Sequence, residues 1–413
     1  MLTLRDRWFR SGSLDDQNER RLLVDGAAAG LLNGVAVFLP VFLVRLGASN
    51  LQVGLVSALP ALLAVALSLP IGEFLARRTT VVRWLTWART LVWGSFPVIG
   101  LLPFFLSERL PEAILLVWGA VTVPQVLHVV AVNIVLGNVV EAQHRFRLLS
   151  RRWSVAALAA ALAVAGIGYV LPRLDFPLGY QWIFISSALT TLICHRMMSG
   201  VRLPEAAPPA AALPLLETLR QRGRQLAGDR TFLRFILAQF VFSSGLQLTV
   251  PLLPLFWVRE VQASDALISA INIAQILTAT AAYFLWTRLA RQWGKRWVLL
   301  ISCLGLSFYP ALTAFLPAAW MLVLWAALAG LFAAGVDLTF VDIMMSAGTV
   351  GLRPLYVGVY MVSANTAAFL APLIGTALAD QVGLGQALIL GSGLRLAGVA
   401  LIFLLGAGQG RSD

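Results

Sequence analysis

The amino-acid sequence predicts an all-α polytopic membrane protein, with twelve transmembrane helices in two six-helix pseudo-repeats. Of the 413 residues, 59% are hydrophobic and only 12% are charged, and the mean hydropathy is +0.83. A soluble fold of this length could not cover its surface with so few charged side chains. Apolar runs of about 20 residues, the length that crosses a bilayer core as a helix, recur along the chain.

Twelve apolar runs are interpreted as membrane-spanning helices, because none of them alternates as the strands of a membrane barrel do. The first six spans are 23–45, 51–75, 81–106, 113–138, 153–171 and 180–199. The second six spans are 232–257, 265–286, 297–316, 320–345, 355–379 and 386–405. Ser49-Asn50 and Ser264-Asp265 precede spans two and eight, and we expect them to cap those helices.

The basic residues predict the orientation of these spans. The net charge is +12, and 25 of the 31 Lys and Arg residues fall on one side of the predicted topology, against four on the other. Such a bias marks the cytoplasmic side, so both termini are predicted to be cytoplasmic. Because the charges are spread over separate segments, no nucleic-acid partner is expected.

An internal repeat divides the chain into halves. Residues 39–45 recur as residues 253–259, with five of seven positions identical at an offset of 214 residues, and Arg83-Trp84 recurs as Arg296-Trp297. Spans one to six therefore correspond to spans seven to twelve. The predicted organisation is a cytoplasmic N-terminal segment 1–22, a six-helix bundle 23–199, a cytoplasmic linker with an amphipathic helix 200–230, a second six-helix bundle 231–405 and a cytoplasmic tail 406–413.

The arrangement of six plus six spans around a long central loop resembles that of the major facilitator superfamily. A motif in the loop between spans two and three, repeated between spans eight and nine, also resembles a motif of that family. The second copy, residues 289–296, follows the family motif more closely than the first, residues 72–80, and Arg77 and Arg291 stand where the family has an aspartate. Glu73, one turn earlier, could replace that acid. The resemblance implies a cytoplasmic latch or charge relay, for which the candidates are Glu73, Arg77, Arg83, Asp342, Arg291, Arg296 and Arg353.

Span ten carries the sharpest functional candidate, Asp337. A carboxylate without a partner inside a bilayer disfavours its charged form, so it could take and release a proton. The alternative is a static ion pair with Arg89 or Arg395, the two arginines that lie within spans. Asp342 is expected to pair with arginines of the loops.

The resemblance implies that spans one, four, seven and ten line the substrate cavity, near the midplane. Polar residues in those spans are candidates for the substrate and proton pathway, although helix packing explains them as well. They are Asn33, Gln125, His128, Gln239 and Gln247, together with Asp337. Arg89 could reach the headgroups, whereas Arg395 is expected to have an acidic or carbonyl partner.

The preferred interpretation is a secondary active transporter that moves a small, hydrophobic or weakly polar solute by alternating access, coupled to protons, with efflux favoured. The alternatives are a non-transporting membrane scaffold or assembly factor of the same fold, and a nutrient or sugar permease. The sequence contains no nucleotide-binding loop and no nucleophile–base or metal constellation, so we expect neither an enzyme, nor a cofactor, nor a metal. A monomer in a bacterial cytoplasmic membrane, contacting lipid, solute and protons, is expected.

Overall fold

The computed structural model describes residues 13–78, 80–106, 108–139, 142–203, 228–346 and 353–405. These ranges contain α-helices, one 3-10 turn and no strand, so the predicted all-α class is confirmed. In the first half the helices are α1 (Leu14–Ala36), α2 (Phe38–Arg45), α3 (Asn50–Ala76), α4 (Val81–Phe105), α5 (Leu110–Ala120), α6 (Thr122–Asn138), α7 (Ala142–Val170) and α8 (Leu178–Ser199). In the second half they are α9 (Arg230–Thr249), α10 (Leu252–Arg259), α11 (Asp265–Trp293), α12 (Lys295–Phe315), α13 (Ala319–Ser346), α14 (Arg353–Val382) and α15 (Leu384–Leu404).

These helices account for the twelve predicted spans. Within the described ranges, eleven helical stretches are long and apolar enough to cross a membrane. The twelfth, α8, is 22 residues long but is not among the eleven. Gln181, Thr191 and His195 interrupt its apolar sequence, which lowers its hydropathy. The chain is a multi-pass integral membrane protein.

Spans one, four and seven are each broken into two helical segments, α1 with α2, α5 with α6 and α9 with α10. A proline lies in the first turn of each second segment, at Pro40, Pro124 and Pro254. Proline has no N–H to donate to the carbonyl four residues earlier, so the helix bends there. Pro40 and Pro254 are equivalent in the repeat, so the break in spans one and seven has the same origin.

The first compact unit comprises Met1–Leu46 and Ala66–Ala210. Within it α1 packs along α7, and α4 packs along α8. Glycine permits the first of these contacts, because a Cβ atom at Gly30 would lie 2.1 Å from the carbonyl oxygen of Ala156. An apolar core that includes Leu22, Leu85 and Val135 closes the unit at the end where α1 and α4 begin.

The second compact unit comprises Gly47–Val65 and Ala211–Asp413, so the first part of α3 belongs to it. Within it α11 packs along α13 and α9 along α15. A Cβ atom at Gly330 would lie 2.2 Å from the carbonyl oxygen of Gln275, so these two helices also need a glycine at their contact. The predicted bundle limits, 23–199 and 231–405, remain a prediction.

The start of span five differs from the prediction. The sequence suggests a basic loop up to residue 152, but α7 already begins at Ala142 and includes Arg151 and Arg152. Arg152 is only 8% exposed and contacts Asp25, which compensates its charge and lets the helix extend past the apolar run. Most of the linker 200–230, most of the N-terminal segment 1–22 and the tail 406–413 lie outside the described residues.

Candidate functional site

Asp337 lies on α13, and its side chain is exposed in the described part of the chain. Its Oδ2 accepts a hydrogen bond of 3.2 Å from the hydroxyl of Tyr283, on α11. Tyr360, on α14, is close enough to interact electrostatically with the carboxylate. The alternative of a static ion pair with Arg89 or Arg395 is wrong, because both arginines have other partners, described below. A carboxylate that is held by a neutral hydroxyl can exist in either protonation state, as a proton carrier requires.

Asp342, on the same helix, has a different environment. Its carboxylate lies 2.7 Å from the Nζ of Lys295, and the two side chains are 42% and 61% exposed. The partner is therefore a lysine rather than an arginine of the loops. An ion pair this exposed stabilises the fold by only about 0–1 kcal/mol.

The first unit contains a buried charge cluster that the sequence analysis missed. Asp25, on α1, is 0% exposed, and Nη1 of Arg89, on α4, lies 2.7 Å from its Oδ1. Nη2 of Arg152, on α7, lies 3.1 Å from Oδ2 of the same carboxylate. Arg89 thus does not reach toward the headgroups. The criterion that singled out Asp337, an acid inside an apolar span, applies equally to Asp25 and would have found it.

Gly26 brings α7 close enough to α1 for this contact. A Cβ atom at Gly26 would lie 2.8 Å from Cγ of Arg152 and 3.1 Å from its carbonyl oxygen. Three helices are therefore joined through one carboxylate, with two guanidinium groups for one acid. Such a cluster fixes the relative positions of α1, α4 and α7.

Arg395, on α15, is also buried, at 2% exposed, but its partners are neutral oxygens. Its Nη1 donates to the carbonyl of Leu306 at 2.8 Å and its Nε to the carbonyl of Gly245 at 3.3 Å. Its Nη2 donates to the hydroxyl of Thr249. The expectation of an acidic or carbonyl partner is thus met by carbonyls, and Arg395 joins α15 to α9 and α12.

Gln239, on α9, lies 214 residues after Asp25 and so takes the equivalent place in the repeat. It is 1% exposed. Its Nε2 donates to the hydroxyl of Ser243 at 2.9 Å, and its Oε1 accepts from the hydroxyl of Ser363 at 3.0 Å. The first helix of each half thus has a buried polar anchor, which is charged in one half and neutral in the other.

The other pathway candidates do not form one cluster. Asn33 is exposed on α1, and Gln247 is half-buried on α9. Gln125 and His128 lie on α6, where Oε1 of Gln125 is buried without a partner among the described residues. The His128 ring lies 6.4 Å from that of Trp93. In the described part of the chain no hydrogen bond joins Asp337 to Gln239 or Gln247, and the pathway role of all of them remains a prediction.

The latch candidates are mostly exposed. Glu73 and Arg77 border an open groove of about 540 Å³ at the end of α3, together with Arg78, whose guanidinium lies 4.8 Å from the Phe74 ring centroid. No ion pair joins Glu73 to Arg77 in the described part of the chain. Arg83 and Arg291 are exposed and Arg296 is half-buried, whereas the side chain of Arg353 lies outside the described residues.

The sequence analysis also missed a polar cluster in the second unit, at the end where α3 begins. The Nδ2 of Asn50, at the start of α3, donates to Oδ1 of Asp380 on α14 at 2.6 Å. Arg259, at the end of α10, donates to Oδ1 of Asn50 at 2.7 Å and to the carbonyl of Ala48. One asparagine therefore connects an acid and a base on two different helices. Only the fold brings these three residues together.

Among the described residues, no three His, Cys, Asp or Glu side chains are grouped closely enough to hold a metal ion. Cys194 and Cys303 are free and buried.

Comparison with known proteins finds a family model that matches the second half of the chain and solved structures that share its fold over nearly the whole length. Residues 235–411 match the family model described as Major Facilitator Superfamily. No curated protein matches the sequence.

Several solved transporter structures share the fold. A point mutant of the nucleoside transporter NupG superposes with a TM-score of 0.75 at 13% identity over 94% of this chain and 99% of that one. The xylose transporter XylE from E. coli gives 0.66 at 13% identity, over 96% of each chain. A bacterial homolog of the human lysosomal transporter Spinster gives 0.64 at 16% identity, also over 96% of each chain.

Proposed function

We propose that this chain, whose residues 235–411 match the Major Facilitator Superfamily model and which shares its fold with known transporters over nearly all of its length, is a secondary active transporter of that family. The proposed mechanism is alternating access, driven by a proton gradient. The observation that carries the proposal is Asp337, an acid within a span whose described hydrogen bond comes from a neutral hydroxyl.

The hydrogen-bond partner of Asp337 supports the proposal of proton coupling. An arginine or lysine would hold the carboxylate in its charged form, whereas Tyr283 can bond to the charged form and adjust its hydroxyl to the neutral one. The side chain is exposed on its helix, and we propose that it faces the pathway of the solute. These features support a group that binds and releases a proton in each transport cycle.

The proposed solute is small and hydrophobic or weakly polar, and export is the proposed direction. Asn33, Gln125, His128 and Gln247 provide few hydrogen-bonding groups on the spans assigned to the pathway. A nutrient or sugar permease, the alternative, would be expected to offer a denser set of polar groups to a hydroxylated solute. The nucleoside and xylose named for two of the similar structures belong to those proteins.

The test is transport into proteoliposomes with and without an imposed pH gradient, for the wild type, for Asp337→Asn and for Asp265→Asn. Asp265 is a half-buried acid at the start of α11 and is not among the pathway candidates, so its substitution makes the same chemical change outside the proposed pathway. We expect Asp337→Asn to abolish gradient-driven transport and to retain part of the solute counterflow, with Asp265→Asn like the wild type. Wild-type pH dependence in Asp337→Asn would refute proton coupling through this residue.

The second candidate function is a membrane scaffold or assembly factor without transport. The observation in its favour is the loop motif, in which Arg77 and Arg291 occupy the place of the family's aspartate. Recovery of a stable protein partner on purification, with no flux for a broad panel of solutes, would support the scaffold over the transporter.

We also propose a bacterial cytoplasmic membrane as the location, with both termini on the cytoplasmic side, on the basis of the distribution of Lys and Arg. A single cysteine introduced between residues 206 and 212 should react with a membrane-impermeant maleimide only from the cytoplasmic side. Labelling from the outside would overturn this orientation.

A further inference from the structure

A groove of about 390 Å³ lies between the beginning of α4 and the end of α8. Its lining includes Arg83 and Trp87 from α4 and His195 and Ser199 from α8. Both helix ends belong to the side of the topology that carries most of the basic residues. On the predicted topology, the groove is expected at the depth where a phospholipid headgroup meets the acyl chains.

Arg83 provides the positive charge of the groove. Its side chain is exposed and has no ion-pair partner in the described part of the chain. A guanidinium group binds phosphate through two parallel N–H donors, which favours phosphate over a diffuse contact. An uncompensated arginine at this depth is complementary in charge to a lipid phosphate.

His195 offers the groove an acceptor rather than a donor. The Thr90 hydroxyl donates its proton to the carbonyl of Thr86 at 2.8 Å, so it must accept in its 2.8 Å contact with Nδ1 of His195. The neutral imidazole therefore carries its proton on Nδ1 and presents a lone pair at Nε2. A headgroup N–H or O–H could donate to that lone pair.

Ser199, like His195, offers the groove a hydrogen-bond acceptor. Its hydroxyl donates to the carbonyl of Arg196 at 3.1 Å, which leaves its oxygen as an acceptor. The groove thus combines one cationic donor with two acceptors on the opposite helix. This pattern matches a headgroup in which a hydrogen-bond donor stands next to the phosphate.

Apolar side chains on the same helices indicate what surrounds the groove. Trp87 and Leu91, on α4, are 55% and 53% exposed, and Leu192, on α8, is 63% exposed. Tryptophan is enriched at the depth of the headgroups, where its ring contacts both apolar chains and polar groups. In an integral membrane protein such a surface faces lipid, so a lipid is the occupant that can reach both the groove and the apolar side chains.

We propose that this groove binds a phospholipid of the surrounding bilayer whose headgroup carries an N–H or O–H donor beside the phosphate. Phosphatidylethanolamine and phosphatidylglycerol meet that requirement, whereas phosphatidylcholine does not, because its quaternary nitrogen has no proton. The phosphate binds Arg83, the donor binds Nε2 of His195, and an acyl chain lies along Trp87.

The experiment uses the purified full-length protein in detergent. Bound lipid is counted by native mass spectrometry, and the thermal midpoint is measured with added phosphatidylethanolamine, phosphatidylglycerol or phosphatidylcholine of matched acyl chains. We expect the first two lipids to bind about five- to tenfold more tightly than the third, the factor that one hydrogen bond supplies. Equal binding of all three lipids would overturn the proposed selectivity, whatever the variants do.

Four variants assign the binding to the groove. Arg83→Gln should lose lipid of every headgroup, whereas Arg83→Lys should retain it in part, because lysine keeps the charge but not the two parallel donors, which separates loss of charge from loss of fold. His195→Phe should bind all three lipids equally, because it keeps an aromatic ring but removes the acceptor. The matched control is Arg288→Gln, an exposed arginine on α11 that does not line the groove, and it should bind as the wild type does.

Inorganic phosphate and glycerol 3-phosphate distinguish a lipid from a soluble anion. Neither should raise the thermal midpoint of the wild type as the lipids do, because they lack the apolar contacts. Stabilisation by either one equal to that by phospholipid would identify a soluble anion site and refute the lipid proposal. Wild-type lipid retention in Arg83→Gln would refute the placement in this groove.

Discussion

Nη1 of Arg89 lies 2.7 Å from Oδ1 and 2.8 Å from Oδ2 of Asp25, and the two side chains are 3% and 0% exposed. Arg152 completes the cluster from α7. A buried ion pair adds little net stability over a well-packed apolar contact, because both ions lose their hydration. Removal of one partner is costly, since it leaves the other charge uncompensated. The cluster should therefore be sensitive to any single substitution.

The substitution Asp25→Asn tests this sensitivity. It would leave two buried guanidinium groups without a carboxylate, and we expect a loss of about 3–5 kcal/mol in the free energy of unfolding. The measurement is reversible unfolding in mixed micelles, or the thermal midpoint if unfolding is irreversible. The control is Glu19→Gln, which breaks the exposed 2.7 Å ion pair between Glu19 on α1 and Arg151 on α7. This substitution should cost at most about 1 kcal/mol. Equal losses in the two variants would contradict a structural role for the buried cluster.

Arg395 should respond differently to substitution. Its described partners are two backbone carbonyls and one hydroxyl. Because all three are neutral, Arg395→Met would not leave an uncompensated buried charge. The expected loss is about 1–3 kcal/mol, the sum of a few hydrogen bonds, and smaller than that of Asp25→Asn. The same unfolding experiment measures both. A loss in Arg395→Met as large as that in Asp25→Asn would indicate an acidic partner for Arg395.

Gly30 is required for the close approach of α1 and α7. An added Cβ atom would meet the Ala156 carbonyl at 2.1 Å, whereas nothing lies within 4 Å of a Cβ atom at Gly94. Gly30→Ala should thus lower the thermal midpoint and the yield of folded protein. Gly94→Ala should be neutral or should raise the stability by up to about 1 kcal/mol, because alanine favours helix. Similar behaviour of the two variants would show that α1 and α7 can separate without cost.

Asn50 should hold the beginning of α3 against α10 and α14. Asn50→Ala removes the hydrogen bonds with Asp380 and Arg259. We expect amide hydrogen exchange in residues 47–58 to accelerate about tenfold, which corresponds to a decrease of about 1.4 kcal/mol in the free energy of local opening. Asn365→Ala is the matched control, because its Nδ2 bonds to the Met361 carbonyl of its own helix. Unchanged exchange in Asn50→Ala would mean that these contacts do not restrain α3.

The spans were predictable because hydropathy is local. A bilayer core requires a run of apolar residues, and each such run can be recognised without knowledge of its neighbours. The capping serines are local as well: Ser264 accepts from the Leu267 N–H at 3.3 Å and Ser49 from the Gln52 N–H at 3.2 Å. Both were expected from the sequence. The burial of Arg152 within α7 was not, because its partner Asp25 lies 127 residues away in the sequence.

The amino-acid sequence by itself determined the all-α membrane class, the twelve spans and the repeat at 214 residues, because these depend on composition and on periodicity along the chain. It also singled out Asp337, Arg89 and Arg395 as ionisable residues inside spans. Only the tertiary structure decided their partners: Tyr283 for Asp337, Asp25 for Arg89 and backbone carbonyls for Arg395. A buried charge must be compensated by a group within hydrogen-bond distance, and that group comes from a helix that is remote in sequence and adjacent only after packing.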